Sequence, residues 1–221
     1  MSESTCIIVM GLPRSGTSAL AGVAHYLGVY WGQHFIDHGE MNPRGSFEND
    51  DLISRLAEDT GTPTWLKALT VMSQNGYGPY HYILSLKIWQ DLRDLAKDHS
   101  LWGFKFNRGL LPGLWDVMWP EVAQLASIKL LVPLRSLEAS VASICKWHPE
   151  VSEELAWQAC WMEKQRLQAI VAKADVPCKL IWYNNLVDHT EREVHELAEW
   201  LGVPFQQEAV NFITPTLRRC G

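Results

Sequence analysis

A chain of 221 residues, 47% hydrophobic and 20% charged, buries roughly 70% of the surface it exposes when unfolded. It needs no disulfide or structural metal to hold a core, and its composition excludes a disordered or collagen-like chain. With 25 acids against 19 bases, the net charge is −6, which argues against a general nucleic-acid or anionic-membrane binder. Any anion must be caught by a local site. Eleven tryptophans point to aromatic-lined pockets.

Cys6, Cys145, Cys160, Cys178 and Cys220 are odd in number and form no C-x-x-C pair, the pattern of free thiols in a reducing compartment. The first residues lack the basic head and small-residue cleavage site of a signal peptide. Residues 15–36 carry no Asp, Glu, Lys or Arg, but glycines, histidines and Gln33 interrupt them, so no membrane span is expected. The expected location is cytoplasmic.

In chain order, the apolar run Cys6 to Met10 reads as a strand covered on both faces, ending at Gly11-Leu12-Pro13. Ser15 to Leu27 reads as a helix, with Leu20, Val23, Ala24 and Leu27 on one face and Gly28 as its stop. Residues 30–46 form a loop, Phe47 to Asp59 a helix, and 60–80 an irregular stretch. Tyr82 to Lys97 is an amphipathic helix, with Ile83, Leu86, Trp89, Leu92 and Leu95 at helical spacing. Leu101 to Phe106 is a second strand and Ile128 to Leu134 a third, followed by a helix from Glu138 to Trp147.

Ser152 caps a long helix to about Lys173, and Cys178 to Tyr183 is a fourth strand. Thr190-Glu191-Arg192-Glu193 reads as a capping box for a helix closed by Gly202 and Pro204. Repeats, low-complexity segments and linkers are missing. Strands separated by helix-length segments imply an α/β fold, one domain over 1–221, with a parallel central sheet and helices on both faces in three layers.

Between the first strand and its helix stands Gly11-Leu12-Pro13-Arg14-Ser15-Gly16-Thr17-Ser18. Glycines permit the tight turn, and backbone N–H groups beside a helix N-terminus cradle a phosphate. The spacing G-x-x-x-x-G is that of a P-loop, yet Thr17 and Ser18 follow where Lys-Thr or Lys-Ser would reach the β and γ phosphates of ATP. The cation here is Arg14. A phosphate-binding loop follows, of the wrong kind for ATP hydrolysis.

Residues Pro13 to Ser18 resemble the 5′-phosphosulfate loop, P-[KR]-S-G-T-[ST], of the sulfotransferases that use 3′-phosphoadenosine 5′-phosphosulfate (PAPS). Three further segments resemble that family in the same order. Asn42-Pro43-Arg44-Gly45-Ser46-Phe47-Glu48 is similar to the N-P-x-G-x-[FW]-E of many bacterial members. Arg135 and Ser143 have the strand-end and helix setting, eight residues apart, of the family's 3′-phosphate ligands. Tyr183 to Leu186 with Leu201-Gly202-Val203-Pro204 is similar to its Y-x-x-L…LG-[IV]-P signature. The likeness runs from about residue 6 to about residue 204.

The resemblance implies in-line transfer of a sulfuryl group from PAPS to a hydroxyl or amine of a small-molecule or glycan acceptor, leaving PAP. A sulfuryl group carries less charge than a phosphoryl group, and the third strand ends in Arg135 rather than a Mg²⁺-binding acid; no metal is expected. Arg14 would neutralise the departing 5′-phosphate oxygen, held by Ser15, Gly16, Thr17 and Ser18. Arg135 and Ser143 would hold the 3′-phosphate, Arg218 in the basic tail would close over it, and Tyr183 would lie near the adenine.

The better-known animal members carry K-x-H where this chain has Lys105-Phe106-Asn107. Lys105 can still donate to the transferring group, but asparagine is no base. Glu48 is the first candidate base, with His34 and His38 next. A metal reading of His34, Asp37 and His38 lacks a further spaced ligand. Trp65, Tyr77, Tyr80 and Tyr82 are candidate acceptor-pocket residues. The competing readings are a non-catalytic PAP- or nucleotide-binding protein on the same fold, and a P-loop kinase with an unusual cation. The acceptor and the oligomeric state stay open.

Overall fold

Strands β1 (Thr5–Val9), β2 (Leu101–Lys105), β3 (Ser127–Leu134) and β4 (Cys178–Trp182) pair in the order β2-β1-β3-β4, every pair parallel. The computed structural model describes residues 4–36, 44–52, 54–55, 85–105 and 114–214. Register brings Val9 beside Lys105 on one side and Leu131 on the other. The carboxyl ends of β1 and β2 therefore open together.

Helices are α1 (Thr17–Tyr26), α2 (Leu86–Asp98), α3 (Leu114–Leu125), α4 (Leu137–Trp147), α5 (Glu153–Lys173), α6 (Tyr183–Asp188), α7 (Thr190–Leu201) and α8 (Gln207–Phe212). Alternation along the strands sends side chains to two cores. Cys6, Ile8, Trp102, Phe104, Leu130 and Val132 meet α2, α3 and α5 on one face. Ile7, Val9, Leu131 and Ile181 meet α1, α7 and α8 on the other. Both faces of β1 are covered, which is why its sequence shows no polar alternation. The result is the three-layer α/β arrangement with a parallel central sheet. No helix among the described residues is long and apolar enough to cross a membrane.

Several local expectations need correction. Phe47 does not open a helix: its φ is 55°, and helical residues begin at Asp50. Tyr183 does not end β4 but starts α6. Thr190 is the first residue of α7 rather than its cap, and its Oγ1 donates back to the carbonyls of Leu186 and Val187 at 2.8 and 3.2 Å. With α6 ending at Asp188, His189 takes the N-cap position and Thr190 already has helical backbone, so it cannot cap the helix. Residues 30–36 are not purely loop. Tyr30 bridges to Trp102 and Phe35 to Asn49.

Other expectations hold. Ser152 Oγ accepts from Leu155 N at 3.2 Å and caps α5. Gly202 closes α7 with φ 79°. Helices α3, α6 and α8 had no counterpart in the sequence reading. Pro120 lies inside α3, where Leu114, Met118 and Val122 are buried against the sheet and the Trp115 and Trp119 rings sit 4.8 Å apart. Cys6, Cys145, Cys160 and Cys178 are free thiols. Burial pushes Cys6 up, and burial, helped by Glu163 and Cys145, pushes Cys160 up to about 12.

Candidate functional site

The turn after β1 is built from two left-handed residues, Arg14 (φ 62°) and Gly16 (φ 99°), around Ser15. Ser15 N donates to Leu12 O at 3.1 Å and closes the turn, and Leu20 N donates to Gly16 O at 3.0 Å to start α1. No side chain caps α1 and no acid stands in its first turn. The first N–H groups of a helix have no acceptor within it, and together with the axial dipole they favour an anion. Ser15 is fully buried and its Oγ has no hydrogen-bond partner. An orphaned hydroxyl in a cradle with this polarity fits a phosphate.

Glycine is required at position 16. A Cβ there would stand 2.3 Å from Cδ2 of Tyr183. The Tyr183 ring thus floors the loop, and the Arg135 guanidinium lies over it, 5.2 Å from the centroid. Arg135 Nη1 donates to Arg14 O at 2.9 Å, and Arg14 Nε donates to Ser143 Oγ at 3.2 Å. Loop, strand end and helix are wired together through these contacts. Ser143 is 2% exposed, on the face of α4 that meets the loop. Trp147, one turn further, receives Arg14 at 6.0 Å from its ring centroid.

On the other side of the loop stands Lys105, the last residue of β2. Its Nζ donates to Ser18 Oγ at 2.8 Å and lies 2.9 Å from Glu48 Oε1, with side chains 2% and 15% exposed. A buried ammonium is tolerable only when paired and hydrogen-bonded. The pair ties the 44–48 segment to the phosphate-type loop. Three cations, Arg14, Lys105 and Arg135, converge on α1's N-terminus in a molecule of net charge −6.

Of the residues singled out in the sequence, Arg14, Ser15, Gly16, Ser18, Glu48, Lys105, Arg135, Ser143 and Tyr183 are drawn into this one contact network, with Thr17 buried at the start of α1. His34 is not. Its side chain is 71% exposed and pairs with Asp51 at 3.4 Å, beside an acidic cleft of about 300 Å³ lined also by Tyr30, Asp91 and Asp94. Asp37, His38, Asn107, Arg218, Trp65, Tyr77, Tyr80 and Tyr82 lie outside the described residues. Trp147 and Ser46 escaped the sequence reading. Trp147 had a usable signal, since it falls four residues after Ser143 on the same helical face. Ser46 had none, because its role depends on Ile36, ten positions away in the sequence.

No family model matches this sequence, and no curated protein matches it. Solved structures do. A sulfotransferase domain from the Synechococcus PCC 7002 olefin synthase superposes with a TM-score of 0.62 at 14% identity, covering 99% of this chain and 80% of that one. A sulfotransferase domain from the curacin biosynthetic pathway gives 0.58 at 14% identity, covering 100% and 82%. A sulfotransferase from Mycobacterium tuberculosis H37Rv gives 0.51 at 16% identity, covering 97% and 72%. The chain has the fold of the sulfotransferase domains.

Proposed function

We propose that this protein transfers a sulfuryl group from PAPS to a hydroxyl or amine of a small-molecule or glycan acceptor, releasing PAP. The observation that carries the reading is the wiring of Arg135 and Ser143 to Arg14, at 2.9 and 3.2 Å. It supports the reading because a nucleotide with separated 5′ and 3′ phosphates would need a second cation and hydroxyl close to the phosphate-type loop. When bound, PAPS supplies an activated sulfuryl group whose leaving oxygen belongs to the 5′-phosphate.

The chain's own residues then divide the work. The first-turn N–H groups of α1 and the hydroxyls of Ser15, Thr17 and Ser18 hold the 5′-phosphate. Arg14 exchanges its bond to Ser143 for charge on the departing oxygen. Arg135 and the released Ser143 hydroxyl hold the 3′-phosphate, the arginine by a bidentate contact. Tyr183, already flooring the loop, borders the adenine. Lys105 donates toward the transferring sulfuryl oxygens, and Glu48, 2.9 Å from it, accepts the acceptor's proton. Arg218 is assigned to the closing tail on the resemblance alone.

Thermal unfolding with PAP, ADP and Mg-ATP at equal concentrations tests this. A ligand at 100 times its dissociation constant stabilises by about 2.7 kcal/mol. A shift with PAP but not ADP supports the Arg135–Ser143 site, since the two differ mainly in where the second phosphate sits. A shift with Mg-ATP alone overturns the reading in favour of kinase chemistry. Arg135→Ala should then weaken PAP binding roughly 10- to 150-fold, the loss of one charge-assisted hydrogen bond. Unchanged affinity would remove Arg135 from the site.

A further inference from the structure

The segment that delivers Glu48 is held with unusual completeness for five residues outside regular structure. Ser46 is fully buried. Its Oγ donates to Ile36 O at 2.6 Å and accepts from Glu48 N at 3.2 Å. Ile36 N in turn donates to Glu48 O at 3.0 Å. Both backbone polar groups of Glu48 and both of Ile36 are therefore closed into one ring, and a single hydroxyl completes it.

Two neighbours brace that ring. Phe47 is held at φ 55°, a conformation that costs a bulky residue free energy and persists only where the surroundings over-determine it. Its ring is buried 5.5 Å from Phe35 and 5.7 Å from Phe212. Arg44 donates to the carbonyls of Asn211 and Phe212. With Phe47 anchored among these rings and the peptide of Glu48 fixed by Ser46 and Ile36, the Glu48 carboxylate stands 2.9 Å from Lys105 Nζ.

We propose that Ser46 is a positioning residue for Glu48: its hydroxyl sets the peptide of Glu48 so that the carboxylate stands beside Lys105 and the transferring group. Buried polar networks of this kind specify geometry because each member left unpaired is costly. Misplacing a reacting group by about 1 Å costs up to about 100-fold in rate. The inference rests on the reading of Glu48 as the base.

The test follows transfer from radiolabelled PAPS to water, scored as released sulfate, in Ser46→Ala, Ser46→Thr, Glu48→Gln and the Ser46→Ala/Glu48→Gln double variant, with PAP affinity measured for each. Ser46→Ala should slow turnover by roughly 10- to 100-fold while PAP affinity stays within about twofold. Ser46→Thr, which keeps the hydroxyl, should recover most of the rate. In the Glu48→Gln background, Ser46→Ala should change nothing further. Loss of equal size in both backgrounds would show a general structural role and overturn the proposal, as would normal turnover in Ser46→Ala when Glu48→Gln is slow. Normal turnover in Glu48→Gln itself would instead remove Glu48 as the base.

Discussion

Gly16 joins two demands at one Cα: a backbone in the left-handed region (φ 99°) and a Tyr183 ring where a side chain would be. For Gly16→Ala, the backbone alone costs about 1–2 kcal/mol. The Cβ, 2.3 Å from Tyr183 Cδ2, then displaces the ring on which Arg135 rests. We expect the variant to fold with a lower melting temperature and to bind PAP more weakly than wild type. Full PAP affinity would mean that Tyr183 and Arg135 do not depend on each other. This loop was legible in the sequence because its determinants are local. The resemblance to a known pattern also named Arg135 and Ser143, which spacing by itself does not single out. The conformation of Phe47 was not legible. An acidic, apolar-spaced stretch from 47 onward has the pattern of a helix, and the aromatic packing that overrides it comes from Phe35 and Phe212, distant in sequence.

Helix α1 carries a glycine in its interior whose purpose appears only in packing. Ala in place of Gly gains about 1 kcal/mol of helix propensity, so Gly22→Ala should stabilise an isolated α1. In the folded chain a Cβ at 22 would lie 2.2 Å from Phe212 Cε1 and 2.8 Å from Phe47 Cε2. Those rings brace the 44–48 segment and α8, and overpacking a filled site costs about 1–3 kcal/mol. The steric cost wins. Gly22→Ala should lower the denaturant midpoint by a net loss of about 0–2 kcal/mol, and a higher midpoint would show that α8 moves away freely. Of the three helices that the sequence did not disclose, α3 and α8 were hidden for opposite reasons. Pro120 broke the pattern of α3 although burial of Leu114, Met118 and Val122 compensates for it, and α8, at six residues, is too short for periodicity to register. Thr190 had the residues of a capping box but not the position, because His189, joining the end of α6 to α7, stands at the cap.

Across the whole molecule, the three layers were readable because strand alternation and helix spacing are repeated signals that agree with one another. The sheet edge beyond β2 was not, since Tyr30 joins it only by an isolated bridge to Trp102, while Phe35 pairs with Asn49 outside the sheet. Phe35, α1 and the 44–48 segment meet at His25, whose ring lies 5.4 Å from Phe47 and 6.3 Å from Phe35. His25 stays partly open to solvent, but the partial desolvation against these rings lowers its pKa from 6.5, opposed in part by a backbone hydrogen bond involving Val29. Above pH 6.5 the imidazole is neutral in both folded and unfolded chains, so it adds no pH dependence. Below 6.5 the unfolded chain takes up a proton that the folded chain refuses, and stability falls until pH passes below the folded pKa. Melting temperatures between about pH 8 and pH 5 should therefore drop more steeply in wild type than in His25→Gln, which has no proton to bind. Parallel curves would mean that the folded chain protonates His25 as readily as the unfolded chain does.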